Sequence, residues 1–233
     1  MNEYITNDIT EAKEPRNLFR IRDILFGILF FLWSQLNAVL LMAIQNGQGA
    51  SVTIPAILLI ASDTFLFWKS FNVIKKSTMT KEDQAPPMTP KSIFIIFAIA
   101  IAMIMMTSFV GGLLGVEETT NQNELNAFFA ATPLLAAIHI ILVAPICEDI
   151  CFRYYFVRPG TLWKTRFIIS GLLFLAVHMT TQDPLETAIA YAVPVCFLHG
   201  TRLVFGSVRY SLLLHMLYNM IIIVFMFTAL KTG

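Results

Sequence analysis

Long apolar runs dominate this sequence and limit what the chain can fold into. A helix needs about 20 largely apolar residues to cross the hydrocarbon core of a bilayer. Seven runs meet or approach that length, and the fifth and sixth are short or interrupted. These runs cover residues 23–44, 54–73, 92–116, 127 to about 151, 167–179, 185–203 and 210–230. We therefore predict an all-α fold, a polytopic transmembrane helical bundle of about seven spans.

The composition agrees with a chain that is surrounded by lipid. Hydrophobic residues make up 57% of the sequence and charged residues only 13%, whereas about 25% is usual for charged residues in soluble domains. Such a chain cannot cover a water-facing surface with polar groups. Its net charge of +1 gives no general attraction to nucleic acid, so we expect the lipid bilayer as a partner and no nucleic acid.

The basic residues predict how the chain is threaded through the membrane. Fifteen of the sixteen Lys and Arg residues lie in the N-terminal tail and in every second connection between the runs, and only Lys231 lies elsewhere. Loops rich in Lys and Arg stay in the cytoplasm. We therefore predict a multi-pass protein of the cell membrane with a cytoplasmic N-terminus.

The same pattern divides the chain into three parts. Residues 1–22 form a cytoplasmic tail, and residues 23–116 form the front transmembrane helices with a proline-containing cytoplasmic loop at 74–91. Residues 127–230 form a separate helical core, in which most of the polar residues that interrupt apolar runs are found. Ionisable residues inside a span usually face a protein interior or a water-filled cavity, so the core is where we expect a functional site.

The densest polar cluster lies near the end of the fourth run. Asp149 and Arg153 are four residues apart, so on a helix they lie one above the other and can pair. Glu148 points about 100° away from Asp149 and can face a cavity, where it would act as a general base on water. The alternative is a solvated helix end with ordinary charges, but nearly all the flanking residues are apolar.

Two further sites place polar side chains on one face of an apolar helix. Phe174 and His178 are four residues apart, and so are His215 and Asn219, so each pair shares a helix face. Buried polar groups need hydrogen-bond partners. Taken singly, each site is also explained by a hydrogen bond that joins two helices.

The three sites, in this order and at these spacings, resemble the CPBP family. The family includes the type II CAAX prenyl proteases and the bacteriocin-processing or bacteriocin-immunity proteins of the Abi domain. The resemblance covers roughly residues 127–230 and rests on three motifs, Glu148-Asp149-x-x-x-Arg153, Phe174-x-x-x-His178 and His215-x-x-x-Asn219. Each motif is weak alone, whereas the ordered set of three is specific. The family's first motif is usually Glu-Glu-x-x-x-Arg, and Asp149 keeps the charge of the second Glu with a reach shorter by one methylene.

The resemblance implies an intramembrane endopeptidase with four catalytic residues. Glu148 would activate the attacking water. His178 and His215 would complete the site, either as metal ligands or as groups that position water and handle protons. Asn219 would donate a hydrogen bond to the developing oxyanion.

The resemblance also implies orienting residues and raises the question of a metal. Arg153, with Asp149 and Phe174, would orient the catalytic groups. A zinc ion held by Glu148, His178 and His215 would be chemically reasonable. The sequence has no His-Glu-x-x-His motif, however, and a Glu-activated water needs no metal, so the metal-free mechanism is preferred and the other stays open.

His139, His199 and Asp63 also lie inside the apolar runs and belong to none of these motifs. His139 and His199 are interpreted as packing residues. Asp63 in the second run has no obvious partner, and pairing with a Lys or Arg of another helix stays open.

The leading functional hypothesis is cleavage of a peptide or membrane-associated protein near the cytoplasmic leaflet. The biological role would be self-immunity to a bacteriocin, peptide maturation or another processing event. One alternative is a non-catalytic membrane partner or regulator that keeps the CPBP fold. Another is an ion-coupled transporter, although the paired repeats typical of transporters are not found in this sequence. The sequence leaves the substrate and the oligomeric state open.

Overall fold

The computed structural model describes residues 21–47, 50–79, 87–116, 119–157, 162–179 and 182–232, and these residues form eight helices and no strand. The helices are α1 (Ile21–Asn46), α2 (Ala50–Met79), α3 (Pro90–Leu114), α4 (Thr120–Ala131), α5 (Pro133–Phe156), α6 (Trp163–His178), α7 (Pro184–Val204) and α8 (Val208–Thr232). The predicted all-α bundle is confirmed. Most of the predicted N-terminal tail and residues 80–86 of the predicted loop lie outside the described residues.

Six of these helices are long and apolar enough to cross a membrane, namely α1, α2, α3, α5, α7 and α8. The chain is therefore a multi-pass membrane protein. The fifth predicted span, 167–179, lies in α6, which has only 16 residues. At 1.5 Å per residue α6 is about 24 Å long, less than the roughly 30 Å of a typical hydrocarbon core. By length and composition, the described residues thus supply six spans rather than seven.

The fourth predicted run, 127 to about 151, is divided between two helices. Its first residues belong to α4, which ends at Ala131, and α5 begins at Pro133 and continues to Phe156. Proline has no backbone N–H, and its ring disfavours a helical conformation at the preceding residue. Pro133 therefore ends one helix and starts the next, a break that the apolar character of the run does not reveal.

Helix α5 is the central element of the bundle. Half of its spanning segment is buried inside the protein, against 12% for α1 and 22% for α8. Helix α1 approaches the end of α5 closely, because a Cβ added at Gly27 would lie 2.8 Å from the Phe156 ring. Helices α6 and α8 also pack against the end of α5, so side chains from all three helices meet there.

Candidate active site

The backbone of α5 departs from regular α-helix on both sides of Glu148. His139–Val143 and Asp149–Phe156 are wound as π-helix, and Ala144–Glu148 between them is α-helical. Such π turns occur frequently at functional sites. Glu148 therefore lies at the point where the winding of the helix changes.

Glu148 lies between two histidines that come from different helices. One carboxylate oxygen is 3.8 Å from His178 Nε2 of α6, and the other is 3.7 Å from His215 Nε2 of α8. These separations exceed the usual 2.7–3.2 Å of a direct N–H···O hydrogen bond. A single small molecule could, however, bond to the Glu148 carboxylate and to one of the imidazoles at once. The three side chains are 22%, 16% and 8% exposed, so the site is recessed and not sealed.

The other nitrogen of each imidazole is already bonded. His178 Nδ1 lies 2.7 Å from the Phe174 carbonyl, and His215 Nδ1 lies 2.9 Å from Asp149 Oδ1. A carbonyl or carboxylate oxygen can only accept, so both Nδ1 atoms carry the proton and donate it. In its neutral form each ring therefore presents an unprotonated Nε2 to Glu148.

Asp149 is fully buried and accepts hydrogen bonds from three groups. Arg153 donates at 2.5 Å, as the spacing predicted for this pair, and Ser211 and His215 of α8 donate at 2.6 and 2.9 Å. The two neighbouring carboxylates thus flank the same imidazole, with Asp149 at Nδ1 and Glu148 facing Nε2. Ser211 was missed in the sequence, although it lies four residues before His215 and shares its helix face.

The Phe174 ring contacts both the His178 imidazole and the Arg153 guanidinium. Its ring stacks on His178 with the centroids 4.3 Å apart, and the Arg153 guanidinium lies 4.9 Å from its centroid. Tyr191 of α7 covers His178 from 4.5 Å. Aromatic pairs gain energy beyond the area that they bury, so Phe174 and Tyr191 favour this orientation of the His178 ring.

Asn219 binds the backbone of α5. Its amide nitrogen donates to the Ile140 carbonyl at 2.8 Å. The N–H of Ala144 is already taken by the His139 carbonyl in the π turn, and the next residue, Pro145, has no N–H to offer. Asn219 therefore supplies the donor that the helix itself lacks.

This arrangement gives a prediction about stability. Replacing Asn219 with Leu should lower the free energy of unfolding by about 1–3 kcal/mol, because the Ile140 carbonyl is left unpaired. Adding Pro145→Ala restores a backbone N–H at position 145, so the double variant should recover part of that loss. Thermal unfolding of both variants in detergent measures the recovery, and a purely additive result would contradict the assignment.

The hypothesised zinc site would need Glu148, His178 and His215 to converge on one metal ion. In the part of the chain that the structure describes, no group of three or more His, Cys, Asp or Glu side chains is arranged to hold one. The mechanism below accordingly routes no step through a metal.

A second polar cluster lies in the front half of the bundle. The carboxylate of Asp63 in α2 accepts a 2.5 Å hydrogen bond from Asn37 of α1 and lies 3.3 Å from Nδ1 of His139 in α5. Ser62 donates to Asn37 and accepts a 2.6 Å bond from Trp33. Asp63 therefore has two partners, His139 and Asn37. His139, interpreted from the sequence as a packing residue, also joins α5 to α2 by a hydrogen bond. The signal in the sequence was the presence of these polar residues in apolar runs.

The protein is thus an all-α membrane bundle with a recessed carboxylate between two oriented imidazoles. Residues 130–221 match the family model described as Type II CAAX prenyl endopeptidase Rce1-like. The match includes every residue of the three motifs and supports the family predicted from them. No curated protein and no solved structure matches the chain.

Proposed function

We propose that this protein is an active intramembrane endopeptidase in which Glu148 activates water. The observation that carries the proposal is the position of its carboxylate, with one oxygen 3.8 Å from His178 Nε2 and the other 3.7 Å from His215 Nε2. A water molecule in either gap would meet two hydrogen-bond acceptors. It would donate one hydrogen to Glu148 and the other to an imidazole, with its lone pair directed away from both.

The proposed reaction follows from that geometry. Glu148 takes one proton from water as the oxygen attacks the carbonyl carbon of the scissile peptide bond. The tetrahedral intermediate then collapses, the C–N bond breaks, and the proton on Glu148 passes to the leaving amine. The direct products are a carboxylic acid and an amine. The acid carries the second proton of the water and passes it to the amine, so the products leave as a carboxylate and an ammonium, and Glu148 returns to its starting charge.

The remaining polar groups act on the developing charge. The nitrogen of Asn219 carries two hydrogens, and only one is needed for the Ile140 carbonyl, so the second serves as the oxyanion donor in this proposal. His215, held by Asp149, and His178, held by Phe174, orient the water and share its proton. Arg153 pairs with Asp149 and keeps its side chain in place.

The substrate is proposed to be a peptide or membrane-associated protein that is cut near the cytoplasmic leaflet. The Lys and Arg residues before α1, between α2 and α3 and between α5 and α6 support a cytoplasmic N-terminus, and the end of α5, four spans later, would lie on the same side. Self-immunity to a bacteriocin and maturation of a peptide are the two roles proposed for the cleavage.

The test is cleavage by the purified protein in proteoliposomes. Peptides that end in a C-a-a-X sequence, with and without a prenyl group on the Cys, are incubated with the protein in H₂¹⁸O. We expect mass spectrometry to show a shortened peptide whose new carboxylate carries ¹⁸O, because water is the nucleophile. If neither these peptides nor a set of membrane-anchored peptides is cut by well-folded protein, the proposal is wrong.

A further inference from the structure

A small cavity joins Glu148 to the front helices of the bundle. Its volume is about 140 Å³, and it lies between α1 and α5. Its polar lining consists of Ser34, Gln35 and Asn37 of α1 with His139, Cys147 and Glu148 of α5. The α1 side chains lie outside the segment that matches the family, so the cavity is partly built from this chain's own front helices.

The wall of this cavity is kept polar by hydrogen bonds that extend into α2. Asn37 is fully buried and Asp63 is 7% exposed, and burying such groups in hydrocarbon without partners costs several kcal/mol. Asn37 and His139 both donate to the Asp63 carboxylate. Since Nδ1 of His139 is the donor, the neutral ring keeps an unprotonated Nε2 that can accept a hydrogen bond.

The size and lining of the cavity fit water better than a larger ligand. Ligand pockets usually measure about 300–1,000 Å³, whereas a water molecule occupies about 30 Å³ in the liquid. The cavity therefore has room for about four waters. The hydroxyl, amide, imidazole and carboxylate groups around it supply the two to four partners that each buried water requires.

We propose that this cavity is the water store of the site, from which the molecule activated by Glu148 is drawn, and that Asp63 is a positioning residue that holds Asn37 and His139 on its wall. Hydrolysis consumes one water per peptide bond, and the hydrocarbon core of a bilayer holds very little. The proposal rests on the proposed function in one respect, the use of that water by Glu148. The presence of water in the cavity is independent of it.

The first test measures hydration without measuring cleavage. Ser34→Cys and Leu36→Cys are each placed in a chain whose three native cysteines are replaced by Ala. Leu36 is 52% exposed on the outer face of α1, where the surroundings are lipid. A small water-soluble methanethiosulfonate reacts with the thiolate, which forms only where water is present, so Ser34→Cys should be labelled at least tenfold faster. Equal or slower labelling would overturn the proposal, whether or not the protein cleaves peptides.

The second test measures whether water from the cavity is used in peptide cleavage. Ser34→Leu fills the cavity, and we expect kcat for peptide cleavage to fall at least tenfold while KM changes less than twofold. Ser108→Leu is the matched control, because Ser108 is exposed on α3, and it should leave both constants unchanged. Unchanged kcat in well-folded Ser34→Leu protein would overturn the supply of water from this cavity. Fast labelling at position 34 combined with full activity of Glu148→Gln would instead overturn the proposed function and leave the hydration of the cavity standing.

Discussion

Replacing Glu148 with Gln is expected to lower kcat for peptide cleavage by about 10²–10⁴-fold, the usual contribution of a general base. This loss corresponds to about 3–5 kcal/mol of transition-state stabilisation. Gln has the same shape as Glu, but its amide cannot take the proton from water. The measurement is the rate of product formation in proteoliposomes at saturating substrate.

The same substitution should leave the fold almost unchanged. Both imidazoles lie more than 3.5 Å from the Glu148 carboxylate, so no direct hydrogen bond is lost. Glu186→Gln is the matched control, because Glu186 is an exposed residue in the first turn of α7, and it should retain full activity. Normal cleavage by Glu148→Gln would refute the assigned role of this carboxylate.

Replacing Arg153 with Met is expected to lower the free energy of unfolding by about 3–5 kcal/mol, the range for removing one partner of a buried ion pair. Both side chains of the Asp149–Arg153 pair are 0% exposed, so Asp149 would keep a buried charge with no cation beside it. The measurement is thermal or denaturant unfolding in detergent micelles.

A double variant separates this electrostatic effect from lost packing against Phe174. Adding Asp149→Asn removes the stranded charge. Its Oδ1 can still accept from His215, and its Nδ2 can donate to Ser211 Oγ, whose hydroxyl can donate to the Val208 carbonyl instead. We therefore expect Asp149→Asn/Arg153→Met to be more stable than Arg153→Met alone. Arg209→Met, at a half-buried arginine of α8, should cost less than 1 kcal/mol. If the double variant is no more stable than the single one, the charge on Asp149 does not cause the loss.

Sequence spacing was sufficient to predict a side-chain contact where both partners lie on one helix. Asp149 and Arg153 are four residues apart, and their ion pair follows directly from 3.6 residues per turn. The same rule placed Phe174 beside His178. Such contacts depend on the backbone of a single helix and need no information about its neighbours.

Spacing alone could not show how α5 is wound around Glu148. In the π turn Ala144 bonds the His139 carbonyl, so the Ile140 carbonyl would need the N–H that Pro145 lacks, and the amide of Asn219 bonds it instead. The proline is visible in the sequence, but the missing donor is supplied by Asn219, which lies 79 positions after Ile140. The contact of Asn219 with α5 was therefore not predicted.

Hydropathy located the apolar helices but was less reliable about their number and ends. Helix α6 is apolar, yet at 16 residues it is shorter than the other apolar helices that carry the site. The break at Pro133 divides a run that looks continuous. Hydropathy averages over many residues, so it does not detect the single N–H that Pro133 lacks, nor that α6 is a turn or more too short to span the bilayer.

By itself, the sequence determined that the chain is an all-α membrane bundle and which polar residues its helices carry, because those properties follow from composition and from the period of one helix. Only the tertiary structure decided that His215 lies between Asp149 and Glu148, that Ser211 joins the same cluster, and that Asp63 meets His139. These contacts join residues 62–76 positions apart. They depend on how each helix is rotated and packed against its neighbours, and the local pattern of a single helix contains no information about that rotation.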